Sequence, residues 1–349
     1  MMAGNYFKNH HPGGISAVVQ YWNEYIEDLQ YYPTYKLSNI VVRAWWFAFS
    51  YLSLALKMMF DKNVSVLHLH TAADGSFWRK SQLVKLGKFF CRKVVMHVHA
   101  SRFKDFYNEA SPKKQKWILR TLSSVDVLIV LSDSWKAWFK QIGVDEKKMV
   151  VLHNITSYPQ SIPSAKVNDG KVHFLFMGEI GPRKGVFDIL RAIAKHRVEL
   201  AGRIELRIGG NRNEEQLRQV ISDERLEEIV VFEGWVGGEK KIRLLNWADV
   251  FMLPSYNEGL PISILEAMSY KHPIISTPVG GIPEVVENRV NGRIVHPGDD
   301  EGIYKAIRCY IDDKTLIEKD GCVSFSKVKD YLPDSVMTHL KKIYEDLLK

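Results

Sequence analysis

A chain of 349 residues, 46% apolar and 25% charged, is too long for one ordinary core and too apolar for disorder, so two globular domains are expected. Its net charge of +8 comes without a nucleic-acid-binding module or basic-aromatic interleaving, which argues against a nucleic-acid partner. Three cysteines, Cys91, Cys309 and Cys322, have neither the number nor the spacing of a disulfide framework or a zinc site; they read as core thiols of a reducing, cytoplasmic compartment.

The opening MMAGNYFKNHH lacks the cationic-then-apolar order of a secretory signal. It leads to PGGIS (12 to 16), where paired glycines run into a helical pattern and backbone amides can approach an anion, although such a pair is commonplace in turns. Next, AWWFAFSYLSLALKMMF (44 to 60) is apolar almost all round. It is slightly short for a bilayer span and is broken by Lys57, so a packed core helix is the favoured reading, with a helix lying at a membrane interface as the other.

Short β-branched runs then alternate with helical patterns. Strands are expected over 64–70, 93–99, 125–132 and 149–154, and again over 171–178, 203–210, 228–234, 248–255 and 273–278. Continuous apolar strands separated by helices predict parallel sheets covered on both faces, hence two doubly wound α/β domains. The polar stretch NITSYPQSIPSAKVNDG (154 to 170) marks the break. The domains are therefore placed at 1–154 and 155–330, with a terminal helix over 331–349.

Charge is uneven between the halves. Residues 1–154 hold 21 Lys and Arg against 11 Asp and Glu, whereas the remainder holds 27 against 29. Between Arg79 and Arg120 the only acids are Asp105 and Glu109. This stretch is either a solvated face or a surface for anionic lipid or a phosphorylated acceptor.

Ligands of doubly wound sheets sit beyond the carboxyl ends of the strands. There, NEGLPISILEAM (257 to 268) sets Glu258 and Glu266 eight positions apart around Gly259, Leu260 and Pro261. Counted as helix, that spacing is about 12 Å of rise, which suits an acid at each end of an extended polyhydroxylated ligand with a diphosphate between. Another strand end, MGEIGPRKGVFDIL (177 to 190), carries Arg183 and Lys184, a pair able to neutralise a leaving diphosphate. His99 ends the strand pattern KVVMHVH, while His68, His70 and His97 lie within strand patterns, where a hydrogen-bonded core histidine is the ordinary state.

These stretches together resemble the family 4 retaining glycosyltransferases of the GT-B fold, over nearly the whole chain and most strongly from 171 to 300. The acid pair is similar to the family's E-x7-E motif, within LPSYNEGLPISILEAMSYKHPIISTPVGGIPEVVENRVNGRIVHPGD. The resemblance implies two Rossmann-like domains facing a cleft, an amino-terminal acceptor domain and a nucleotide-sugar domain, with the last helix crossing back to the first. It implies retaining transfer of a hexosyl group from a UDP- or GDP-linked donor to a lipid-linked glycan or oligosaccharide acceptor of a bacterial capsule, exopolysaccharide or O-antigen, at the inner face of the plasma membrane. Under it, Glu258 and the amides of Gly259 and Leu260 contact donor sugar and phosphate, and Glu266 binds the ribose. Arg183 and Lys184 stabilise the departing diphosphate, Gly13 and Gly14 face that diphosphate, and His99 approaches the reacting sugar.

No Asp-x-Asp occurs in the sequence, so neither a metal nor a further cofactor is expected at the diphosphate. Two departures from the family stand out. Glu179 follows the strand-end glycine where many members have Arg, which leaves the cradle to Arg183 and Lys184. Only MMAGNYF precedes the glycine loop KNHHPGGIS, so the first strand looks truncated, through either an upstream start or an incomplete sheet. A non-catalytic nucleotide-sugar-binding subunit of a polysaccharide assembly complex is accordingly the second reading, ahead of a sugar epimerase or a phosphorylase.

Overall fold

Parallel pairing organises every strand in the computed structural model, which describes residues 1–5, 14–27, 29–35, 39–99, 101–160 and 169–349. The chain forms two units, Met1–Ile155 together with Pro333–Lys349, and Thr156–Leu332.

The first unit holds strands β1 (Met2–Asn5), β2 (Tyr31–Tyr35), β3 (Val66–Thr71), β4 (Lys93–Val98), β5 (Val127–Val130) and β6 (Met149–Val151), in the order β2-β1-β3-β4-β5-β6. Its helices are α1 (Gly14–Tyr25), α2 (Ile40–Phe60), α3 (Asp74–Phe89), α4 (Phe103–Asn108), α5 (Pro112–Ser124) and α6 (Asp133–Gln141), joined by the terminal helix Pro333–Leu348. β1 has only four residues, yet it pairs with both β2 and β3. The Met1 amine donates to the Val66 carbonyl at 3.2 Å and the His68 amide to the Met1 carbonyl at 2.9 Å, which extends that pairing by one residue. Nothing in the β propensity of MAGN announces a central strand, and β2 contains a proline; both are held by tertiary pairing. One core face is aromatic: fully buried Phe77 meets Phe103, Phe106 and Trp117 at centroid distances of 5.4, 5.7 and 5.3 Å.

The second unit holds β7 (Val172–Met177), β8 (Ile204–Gly209), β9 (Val230–Gly234), β10 (Val250–Leu253), β11 (Ile274–Ser276) and β12 (Gly292–Ile294), in the order β12-β11-β10-β7-β8-β9. Its helices are α7 (Val186–Lys195), α8 (Arg197–Leu200), α9 (Glu214–Asp223), α10 (Gly238–Trp247), α11 (Ile262–Ser269), α12 (Ile282–Val285), α13 (Asp300–Asp312) and α14 (Thr315–Lys327), which makes the terminal helix α15. The three-residue β12, in NGRIV, is too short to carry a recognisable period.

Two expectations are overturned. α2 is not a packed core helix: only Ser50, Leu54 and Met58 are buried, while Trp45, Phe49, Leu52, Leu56 and Met59 form a continuous outward face, with Trp45 74% and Phe49 71% exposed. Hydrophobicity all round the helix hid the difference, because the inner face alone meets the sheet; Ser50 and Trp46 both donate to the Pro33 carbonyl of β2. The cysteines are not core thiols either. Cys91 lies exposed at a turn with φ of 53° between α3 and β4, Cys322 is exposed on α14, and Cys309 is half-buried beneath Arg293. On α13 the inward positions belong to Ile303, Ile307, Tyr310 and Ile311, which leaves Cys309 at the margin.

Truncating the aromatic centre measures how far the first core carries its unit: Phe77→Ala should cost about 3–5 kcal/mol, read in denaturant titration as a lower midpoint with an unchanged slope.

Candidate active site

β7 opens the second sheet and lies between β10 and β8, so successive connections leave it in opposite directions. That reversal puts the carboxyl ends of β7 and β10 side by side, with Phe174 opposite Val250 and Leu175 opposite Phe251. In open α/β sheets this is where a ligand crevice forms.

Beyond β7 the chain makes a single 3-10 turn, Pro182–Lys184, before α7. Beyond β10 it runs through Pro254 and Ser255 to Glu258. The Tyr256 amide donates to the Arg183 carbonyl at 2.9 Å, which ties the two loops. Lys184 forms a direct ion pair with Glu258, and the Arg183 guanidinium reaches the Asn257 carbonyl at 3.0 Å and the second Glu258 oxygen at 4.0 Å. Ser255 Oγ donates to Glu258 Oε1 at 2.8 Å, and Thr277 holds the Ser255 carbonyl from β11's loop. A carboxylate only 5% exposed is thus supplied with a cation and a hydroxyl, as a buried charge requires.

Glycines make this approach feasible. Gly185 has φ of 72°, and a Cβ there would lie 2.0 Å from the Pro254 carbonyl oxygen; a Cβ on Gly280, φ 58°, would lie equally close to the Glu258 carbonyl. The Gly281 amide donates to the Gly259 carbonyl at 2.6 Å, so the loop after β11 closes against the acid-bearing loop.

Glu266 differs from the expected picture. α11 begins only at Ile262, with extended Pro261 as its N-cap, so Glu266 is four residues into the helix, about 6 Å of rise. The intervening Glu258 to Pro261 segment is not helical. Glu266 is 8% exposed and pairs with Lys241 of α10 at 2.6 Å. Leu260 is buried. Glu179 bonds to Arg212 at 3.0 Å and lies 3.7 Å from Arg183, so an acid at this position orients two cations.

In the first unit, Gly14 begins α1 and Gly13 lies outside the described residues. His99 directly follows β4, and its Nε2 meets His70 Nδ1 at 2.9 Å. Desolvation pushes its imidazole down to about 3, against an opposing hydrogen bond with Asn154, so it is neutral at neutral pH. Sequence reasoning left out Ser255, Lys241, Gly185 and Gly280; the glycines were visible as residues, but their tight approaches depend on which strands are neighbours.

Gly185→Ala should destabilise the protein by roughly 1–3 kcal/mol from backbone strain alone, with a further loss from displacing Pro254; a melting temperature equal to that of the parent would contradict the close approach.

Comparison with known proteins gives a consistent picture. Residues 158–321 match the family described as glycosyl transferases group 1, and residues 21–156 match glycosyltransferase family 4. WcaL of Salmonella typhimurium, a glycosyltransferase named for colanic acid biosynthesis, is 27% identical over 203 residues, 55% of this chain and 49% of WcaL, so the match spans about half of that relative. The amylovoran biosynthesis glycosyltransferase AmsK of Erwinia amylovora is 36% identical over 102 residues, 28% of this chain and 25% of AmsK. In fold, sucrose-phosphate synthase of Thermosynechococcus elongatus superposes with a TM-score of 0.79 at 17% identity, covering 99% of this chain and 98% of that one. Anabaena HepE, solved with UDP and glucose, gives 0.74 at 16% identity, covering 100% and 98%.

Proposed function

Because the chain belongs to the family 4 glycosyltransferases of the GT-B fold, we propose that it transfers a hexosyl group, with retention at the anomeric carbon, from a UDP- or GDP-linked sugar to a hydroxyl of a lipid-linked glycan in polysaccharide biosynthesis. The observation that carries this reading is the meeting of Arg183, Lys184 and Glu258 at the reversal point of the second sheet. The HepE complex with UDP and glucose supports a nucleotide sugar as the ligand.

In the proposed reaction the donor diphosphate binds Arg183 and Lys184, and Lys184 exchanges its carboxylate partner for phosphate oxygens. Glu258 is then free to accept hydrogen bonds from sugar hydroxyls, with the amides of Gly259 and Leu260 beside it. Glu266 takes the ribose hydroxyls, and Lys241 holds its carboxylate in place. As the bond from the anomeric carbon to the diphosphate oxygen lengthens, positive charge grows on the ring and negative charge on the leaving diphosphate, which the two fixed cations stabilise. The acceptor hydroxyl attacks from the face the diphosphate leaves, and its proton passes to a diphosphate oxygen. Neutral His99 is suited to hydrogen-bond a sugar hydroxyl rather than to supply charge. The fixed cations take the place of a divalent metal, with the diphosphate of the substrate as the only group they need to hold.

Glu258→Gln should lower turnover by about 10²–10³-fold in an assay of nucleotide release, while UDP- or GDP-hexose still protects against thermal unfolding. A parent protein that is protected by donor but never turns over would instead favour the nucleotide-sugar-binding subunit.

The outward face of α2, free of acidic residues, with Arg92 of the basic stretch donating to the Met58 carbonyl near the helix's end at 2.8 Å, supports an acceptor presented at an anionic membrane. Because Leu54 and Met58 face the sheet core, α2 would lie along the surface rather than span it. In flotation with phosphatidylglycerol vesicles at low salt the protein should rise with the lipid, and Trp45→Glu with Phe49→Glu should leave it in the soluble fraction.

A further inference from the structure

Three histidines of the first sheet make an arrangement that the transfer reaction does not use. His68 and His70 sit two apart on β3, so their side chains leave the same face, and His97 of β4 stands directly opposite His70. All three are buried, at most 1% exposed. Their rings lie 4.7 Å (68 to 70), 5.4 Å (70 to 97) and 5.6 Å (68 to 97) apart between centroids, under the fully buried indole of Trp22.

The hydrogen bonding of these rings is selective. His68 uses Nδ1 on the Tyr344 hydroxyl at 2.6 Å, and His70 uses Nδ1 on His99 Nε2 at 2.9 Å. Each leaves Nε2 without a partner among the described residues, and His97 has none at either nitrogen. Buried polar atoms are rarely left this way, because nothing repays their lost water. Three neutral imidazoles merely stacked in a core leave four such atoms unexplained. One nitrogen from each ring, all within 4.8 Å of one another, converges on a single volume.

We propose that His68, His70 and His97 form a binding site for a zinc-class divalent cation. Zn²⁺ bound to three imidazoles at about 2.0–2.1 Å requires nitrogens roughly 3.4 Å apart, so the rings close by about an ångström, and among the described residues His97 has no hydrogen bond to break in doing so. Burial depresses all three imidazoles well below their usual range, which keeps them neutral and their lone pairs available. Tyr344 and His99 then act as the outer partners that fix ligand orientation at metal-bound histidines. When Nε2 of His70 binds metal, its proton stays on Nδ1 and is donated to His99 Nε2, so the ion also determines which nitrogen of His99 keeps its own proton. That last consequence bears on the proposed role of His99; the metal site stands without it.

The test uses full-length protein carrying no histidine tag. Elemental analysis after purification should give about one zinc per chain, and Co²⁺ added to chelator-treated protein should produce the visible absorption of a tetrahedral site with a raised melting temperature. His97→Gln, folded by circular dichroism, should lose both, whereas His272→Gln, buried in the other unit, should keep them. Should His97→Gln fail to fold, the parent decides: no stoichiometric zinc and no cobalt band would overturn the site, as would equal binding by folded His97→Gln.

Discussion

Lys184 meets Glu258 across 74 residues of sequence because β7 and β10 are neighbours. That adjacency is a topological fact. Once the first strand of a doubly wound sheet lies in its interior, the loops leaving it and the neighbour that comes later in the chain emerge together, and their cation and carboxylate are brought within reach. A carboxylate as buried as Glu258 is costly alone, so the ion pair and the Ser255 hydroxyl are conditions for that loop to exist in its present form. The positive φ of Gly185 and the near-contact at Gly280 follow from the same crowding.

The first unit solves a different problem at the equivalent reversal, between β1 and β3. Its opening strand contributes four residues, and the neighbouring β3 and β4 carry imidazoles where aliphatic side chains are usual. Those rings are covered by Trp22 from α1 and tied to Tyr344 from α15, so the terminal helix takes part in the burial of this sheet. With Gly14 starting α1 and His99 directly following β4, the residues assigned here by family resemblance occupy the same end of the sheet as the strands' carboxyl termini.

α2 separates composition from burial. A helix apolar on every side is compatible with a packed core, a bilayer or an interface, and the choice depends on what stands beside it. Here one stripe, Ser50, Leu54 and Met58, is buried against the sheet, and the opposite stripe of Trp45, Phe49, Leu52 and Leu56 is exposed. The proposed membrane contact takes its direction from that second stripe, and its preference for anionic lipid from the uneven charge of the first half.

By itself the sequence determined the class of fold and the types of residue at the strand ends. Nine strands were legible because continuous apolar runs need no partner to be recognised, and Glu258, Glu266, Arg183 and Lys184 were legible through motif spacing. β1, β2 and β12 were not, since three to five residues of weak propensity become strands only when a neighbour supplies the hydrogen bonds. The tertiary structure alone decided that Glu258 pairs with Lys184 while Glu266 pairs with Lys241, that the helix before Glu266 is one turn rather than two, that the cysteines stand at the margins, and that three histidines share one face. Each of these depends on strand order and helix rotation, which are set by long-range packing, and local sequence carries no record of them.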